Sequence, residues 1–366
     1  MLVERFRLNI HDACLAAIQS RLTTARIGYA PDGGGWTFGT DATYLREFVD
    51  YWRDTYDWRA EEKKLNQWPQ YRAKVDGVDI HFYHIVGDAA HSVPILLTHG
   101  WPGSIVEFQD VIPLLAEAGF TLVVPSLPGF GWSGRPVRPI GAREVARLWR
   151  VLMEDCLGYK SFFAQGGDYG SIISARLGID HADIVQAIHL NFFQAPPPGA
   201  GSDPELADYW SAVGRFMESE GSYIHQQRTK PQTLGLAMHD NPVGWASWVI
   251  EKFRAWGDTG GEIERRFSKD QLITNLMTYL ASDNVISSMW MYYAGIREES
   301  SAERPVLVPT AIARFPGEIY PFPSRALAER QYNILRWTEM PSGGHFAAME
   351  EPTLFAKDVI EFFEGL

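Results

Sequence analysis

Between an apolar run, Phe162-Phe163-Ala164, and a run able to start a helix at once, Ser171 to Leu177, the chain reads Gly166-Gly167-Asp168-Tyr169-Gly170. Few folds accept that order. A short buried strand must turn sharply into a helix, which is the geometry of a nucleophile elbow, Gly-x-Nuc-x-Gly. A Cβ at either outer glycine would crowd the lifted residue, whose own backbone is expected to take an unusual dihedral. Gly and Asp also form ordinary turns, so these five residues need support from the rest of the chain. The lifted residue is Asp168. A serine there would first have to lose a proton, whereas a carboxylate is already ionised at neutral pH and can displace a leaving group directly, remaining as an ester.

The surrounding pattern is α/β. Residues 1 to about 70 read as helical and amphipathic, with Leu15, Ile18 and Leu22 at one helical spacing and Leu45, Phe48, Val49 and Trp52 at another, and as an extension packed on the main domain. From Tyr71 the period changes to two. Val75, Val78, Ile80, Phe82 and Ile85 around Asp76-Gly77 predict an antiparallel hairpin. Apolar strands are predicted at 93–98, 120–124, 184–188, 306–313 and 333–337, with helices near 105–117, 142–156 and 351–364. Such alternation implies a mostly parallel sheet flanked by helices. A linker, Ala195 to Gly201, precedes an aromatic-rich stretch from about 203 to 295 with no strand signal, and the charged loop Arg297 to Ser301 closes it. The expected organisation is an N-terminal extension at 1–75, a core in two parts at 76–195 and 305–366, and a helical cap at 196–304.

Composition narrows the partners. With 366 residues, 46% hydrophobic and 21% charged, the chain is ordinary for a globular protein, and its net charge of −12 argues against nucleic acid or an anionic membrane surface. Two cysteines, Cys14 and Cys156, imply no disulfide framework and suit a reducing compartment. No run of eighteen apolar residues occurs, and charges at Glu4, Arg5 and Arg7 interrupt any signal-like start. Gly129 to Gly134 matches Gly-x-Gly-x-x-Gly after a strand, but Pro136 and Pro139 prevent the helix that would hold a pyrophosphate, so no dinucleotide is expected. No Cys or His cluster has metal-ligand spacing, and no cofactor is expected.

In open α/β sheets the ligand crevice lies at the carboxyl ends of the strands. Asp168 follows one strand. Glu318, in Phe315-Pro316-Gly317-Glu318, follows the strand at 306–313, and His345, in Gly343-Gly344-His345-Phe346, follows the strand at 333–337. Nucleophile, acid, histidine is the chain order of an α/β-hydrolase triad. Asp283 competes with Glu318 for the acid. One strand–helix unit separates Glu318 from His345, which favours Glu318.

These residues resemble the microsomal-type epoxide hydrolases of the α/β-hydrolase superfamily over nearly the whole chain. The likeness rests on an extension of the epoxide-hydrolase N-terminal type at 1–75, HGWPGS at 99–104, SLPGFGWSG at 126–134, GGDYGS at 166–171, FPGE at 315–318 and GGHF at 343–346. It implies Asp168 as nucleophile, Glu318 as acid and His345 as base. The cap segments SYIHQQRTKPQT and NVISSMWMYY are similar to those carrying two ring-opening tyrosines, which fall on Tyr223 and Tyr292, with Tyr293 the fallback for Tyr292. Backbone N–H groups of Trp101 and Tyr169 are the candidate oxyanion donors, and a cis Trp101-Pro102 bond is implied. Tyr169 departs from the tryptophan usual after the nucleophile in mammalian members, and the membrane anchor of those members is not seen, so the expected location is cytoplasmic.

The implied reaction converts an epoxide and water to a vicinal diol: an epoxide oxygen leaves poorly unless a donor meets it, and two phenols converging from a cap can supply that. The nearest rivals are a haloalkane or haloacid dehalogenase, with the same elbow, and a ligand-binding protein on a hydrolase scaffold. A halide calls for an indole donor after the nucleophile, which Tyr169 lacks, and needs no phenolic proton. Substrate identity, regioselectivity and enantiopreference are not written in these residues, and a homo-oligomer is neither required nor excluded.

Overall fold

The computed structural model describes residues 2–87, 93–193, 204–298 and 304–366. The expected linker at 195–201 lies outside them, as does the end of the charged loop. Nine strands form one sheet: β1 Val3–Phe6, β2 Gln70–Val75, β3 Val78–Ile85, β4 Ile95–Thr98, β5 Leu122–Pro125, β6 Phe162–Gly166, β7 Val185–Leu190, β8 Val306–Arg314 and β9 Tyr332–Glu339. Their order is β1-β2-β3-β5-β4-β6-β7-β8-β9. The first three are antiparallel to their neighbours and the rest run parallel. Every residue of β4 and β6 is buried, as continuous apolar runs in a two-sided sheet require. The β2–β3 hairpin turns at Asp76 and Gly77 with φ of 45° and 87°, the left-handed pair of a two-residue loop.

Two features differ from the expectation for the first seventy residues. Val3–Phe6 is a strand, antiparallel to β2 at the sheet edge. Its four residues are only half-covered or exposed, so no apolar alternation marks it. The helices Asp12–Thr24, Ala42–Asp54 and Trp58–Leu65 do form, and the second buries Leu45, Phe48, Val49 and Trp52 as its spacing predicts. They tie largely to helices between β7 and β8 rather than to the core alone. Tyr51 donates to Asp270 at 2.9 Å, Tyr56 shares a 3.0 Å bond with Thr274, and Thr40 donates to the Ser247 carbonyl at 2.5 Å.

The described chain between β7 and β8 is helical, from Pro204–Ser219 to Trp290–Gly295, and covers the carboxyl ends of the parallel strands. The lone GxGxxG stretch opens no helix. Asn284 and Ser287 of the covering helices hold its Gly131 and Gly129 carbonyls.

Candidate active site

β6 ends at Gly166 and the helix Tyr169–Asp180 starts at Tyr169, so the turn has two residues to reverse direction. Asp168 does this at φ 48°, ψ −126°. The glycine frame is steric. A Cβ on Gly166 would lie 2.1 Å from the Gly170 carbonyl, and one on Gly170 would lie 1.9 Å from the Thr98 oxygen. Gly100 is constrained by the nucleophile itself, since a Cβ there would sit 2.3 Å from Asp168 Oδ1.

Beside the elbow, the loop after β4 carries a cis Trp101-Pro102 bond. Trp101 N–H donates to Asp168 Oδ1 at 2.9 Å. Tyr169 is the first residue of its helix, so its N–H has no acceptor within the helix. His99 is a structural neighbour: its ring bonds the Gly100 carbonyl and accepts from Leu127 N–H, and burial drives its pKa down to about 4.

The acid and histidine loops are bound to each other. Gly317 N–H donates to the Gly343 carbonyl at 2.8 Å, and Gly317 bridges Gly344. Glu318 Oε2 therefore reaches His345 Nδ1 at 2.8 Å, while its Oε1 accepts from Tyr320 N–H at 2.9 Å. His345 Nε2 lies 3.5 Å from Asp168 Oδ2. Burial would depress this imidazole, yet Glu318 and Asp168 outweigh it and raise the pKa well above 6.5. Asp283 is elsewhere, exposed and paired to His239 at 3.0 Å.

Tyr223 and Tyr292 come down from the helices Ser222–Thr229 and Trp290–Gly295. Their rings stand 5.8 Å apart, and both pack on Trp101. Burial, then Asp168, raise the Tyr223 pKa well above 10; burial, then Tyr223 and Asp168, do the same for Tyr292. Both phenols are thus protonated donors at neutral pH. Tyr293, next along, does not line the cavity and carries the Arg297 guanidinium 3.6 Å over its ring. Asp168, Tyr169, Tyr223, Tyr292, Glu318 and His345 line one cavity of about 490 Å³.

Some participants are not foreseen from sequence. Trp256 lines the cavity, and its carbonyl accepts from His345 N–H at 3.1 Å. Two residues on, Asp258 N–H donates to Glu350 Oε2 at 2.6 Å, and Glu350 Oε1 accepts from Phe346 N–H. The covering helix Pro242–Trp256 is thereby fastened to the histidine loop. Lys252, buried and paired with Glu251, places its ammonium 5.1 Å from the Tyr223 ring. Glu107 is partly buried under the Trp101 loop, and burial raises its pKa to about 8. A tryptophan or glutamate in a helix gives no periodic signal of such a place. Among the described residues, no group of three His, Cys, Asp or Glu side chains is placed to hold a metal ion, and no helix is long and apolar enough to cross a membrane.

The chain matches the family model described as the epoxide hydrolase N terminus over residues 3–108, and that of the alpha/beta hydrolase fold over 93–210. It is 32% identical to juvenile hormone epoxide hydrolase 1 of Ctenocephalides felis across 98% of this chain and 84% of that protein. The chain belongs to the epoxide hydrolase family. Epoxide hydrolase 1 of Sus scrofa is 31% identical across 98% of this chain and 88% of its own length. Among solved structures, the juvenile hormone epoxide hydrolase of the silkworm Bombyx mori superposes with a TM-score of 0.90 at 30% identity, covering all of this chain and 94% of that one. As an epoxide hydrolase of the α/β-hydrolase fold, the enzyme has at its cavity an ionic cluster on the strand ends and neutral phenols facing it.

Proposed function

We propose that this epoxide hydrolase works through a covalent ester on Asp168. The supporting observation is the division of labour between the two carboxylate oxygens. Oδ1 is held by Trp101 N–H at 2.9 Å, and Oδ2 is left toward the cavity, 3.5 Å from His345 Nε2. Oδ2 attacks an epoxide carbon, the carbon–oxygen bond of the ring breaks, and the electron pair goes to the ring oxygen. Tyr223 and Tyr292 donate hydrogen bonds to that oxygen as its charge grows, and one of them passes it a proton.

The second step needs His345 neutral. In the resting enzyme two carboxylates hold the imidazole in its charged form. Esterification removes the charge of Asp168, so one of those two supports is lost and the imidazolium gives up its proton, which returns to the tyrosine left as phenolate by ring opening. His345 can then take a proton from water, whose oxygen attacks the carbonyl of the ester. Glu318 keeps the ring oriented and balances the imidazolium that forms. The tetrahedral oxygen takes hydrogen bonds from Trp101 and Tyr169 N–H, and on collapse the departing alkoxide takes the proton of the new carboxyl group, which gives the diol and restores the Asp168 carboxylate beside the imidazolium.

A single turnover in heavy-oxygen water tests this sequence. The diol should carry unlabelled oxygen from Asp168, while the label enters the enzyme. Labelled diol in the first turnover would mean direct attack by water and no ester.

A further inference from the structure

The cavity is larger than the reacting atoms require. It continues past Asp168 along the helix Tyr169–Asp180, where Ile172, Ala175 and Ile179 line it at helical spacing, and Val213 and Phe216 line it from the covering side. About 490 Å³ lies in the range that holds a drug-sized molecule, so the space suits an elongated apolar epoxide.

Charges are sparse along that wall. Arg176 and Glu298 both line it and attract each other, and Glu298 also accepts from Arg143 N–H at 3.2 Å. Arg228 is different. It sits in the last turn of Ser222–Thr229, lines the same cavity, and its guanidinium makes no hydrogen bond or ion pair among the described residues. Its charge acts on Tyr169, beside the nucleophile, and on Tyr320, beside the acid. A basic residue in a last helical turn is favourable for the helix dipole, but that does not require it to face a ligand cavity. Arg228 is five positions after Tyr223, about 7.5 Å further along the helix axis at ~1.5 Å per residue.

We propose that Arg228 selects elongated epoxides bearing a carboxylate several bonds from the oxirane, the guanidinium pairing the carboxylate while the apolar wall takes the chain between. This rests on the Asp168 reading, since it places the oxirane between Asp168 and Tyr223. An unpaired guanidinium presents a fork matched to a carboxylate, and a charged hydrogen bond at a partly enclosed site is expected to contribute about 10- to 100-fold in affinity.

The test uses terminal epoxides of graded chain length, each ending in carboxylate, methyl ester or methyl, with the full-length enzyme. At the optimal length, wild type should turn over the carboxylate with the highest kcat/KM, mainly through KM. Arg228→Met should lose about 10- to 100-fold on the carboxylate and stay within about two-fold on the methyl compound, with Arg228→Lys between them. Equal kcat/KM for the three end groups in wild type overturns the proposal, and so does an equal loss on all three in Arg228→Met. Diol formation from the methyl series separates the two readings. If that series gives diol through the ester while the end groups are not distinguished, only the role of Arg228 fails. If it gives diol without an ester, the Asp168 reading fails with it.

Discussion

The floor and the roof of the cavity are built by different physics. On the floor, Asp168, Glu318 and His345 project from turns at strand ends, and each turn is fixed by backbone contact: a glycine frame too tight for a Cβ, and a hydrogen bond between the two later loops. The floor carries ions. The roof places Tyr223 and Tyr292 by aromatic packing against Trp101 and Trp256, from helices far apart in sequence, and it presents phenols that burial keeps protonated. Under the proposed mechanism, the groups that attack or take a proton stand on turns fixed by backbone contact, and those that donate one are held in a packed, poorly solvated wall.

Breaking the floor should have the largest effect. Asp168→Ala should give neither diol nor a protein adduct, because alanine cannot attack, and intact-protein mass spectrometry with diol analysis reads both. His345→Gln should still open the ring but release the ester ~10²–10⁴-fold more slowly, so a gain of one substrate mass should build up on Asp168. Wild-type turnover in folded His345→Gln with no adduct would remove the imidazole from the scheme.

Breaking the roof should slow the first step instead. Tyr223→Phe or Tyr292→Phe should each reduce the rate of alkylation on the order of 10- to 1000-fold, with the double variant near-inactive but folded. Single-turnover adduct formation measures this directly. Alkylation at the wild-type rate in the double variant would assign ring-oxygen protonation to another group.

Two smaller effects refine the contrast. The His345 imidazole is held above its ordinary pKa by two carboxylates, so Asp168→Asn should shift its titration to lower pH, as imidazole NMR signals would report. An unchanged titration would disconnect the two residues. Glu107, raised from 4.5 to about 8, is neutral in the folded protein and ionised in the unfolded chain at neutral pH. Its contribution to stability is therefore complete below about pH 4.5 and is lost as pH rises toward 8. Glu107→Gln should lose less stability than wild type between those limits, seen as a flatter Tm against pH. Parallel curves would exclude a raised Glu107.

Sequence legibility follows the same divide. The elbow, the Asp76-Gly77 hairpin and the strand-end positions of Glu318 and His345 are local patterns in which a few adjacent residues determine the backbone, and they could be read directly. β1 could not, because an edge strand with only partial cover needs no apolar alternation. Nor could Trp256, Lys252 or the Asp258–Glu350 contact, which arise where helices meet and leave no mark on the spacing of either segment. Tyr223 and Tyr292 stand out only through the likeness of their whole cap segments to those of the family; their spacing alone reads as core packing.

The N-terminal helices grip the covering layer through Tyr51–Asp270 and Tyr56–Thr274, although more than two hundred residues lie between the partners. β7 and β8, which flank that layer in the chain, are themselves paired neighbours. The sheet therefore makes few demands on what is inserted between them, whereas the insert and residues 12–65 have to match each other. Recombination between relatives should respect that dependence: chimaeras that exchange both segments from one parent should fold and keep their cavity, and those that take the two from different parents should lose it.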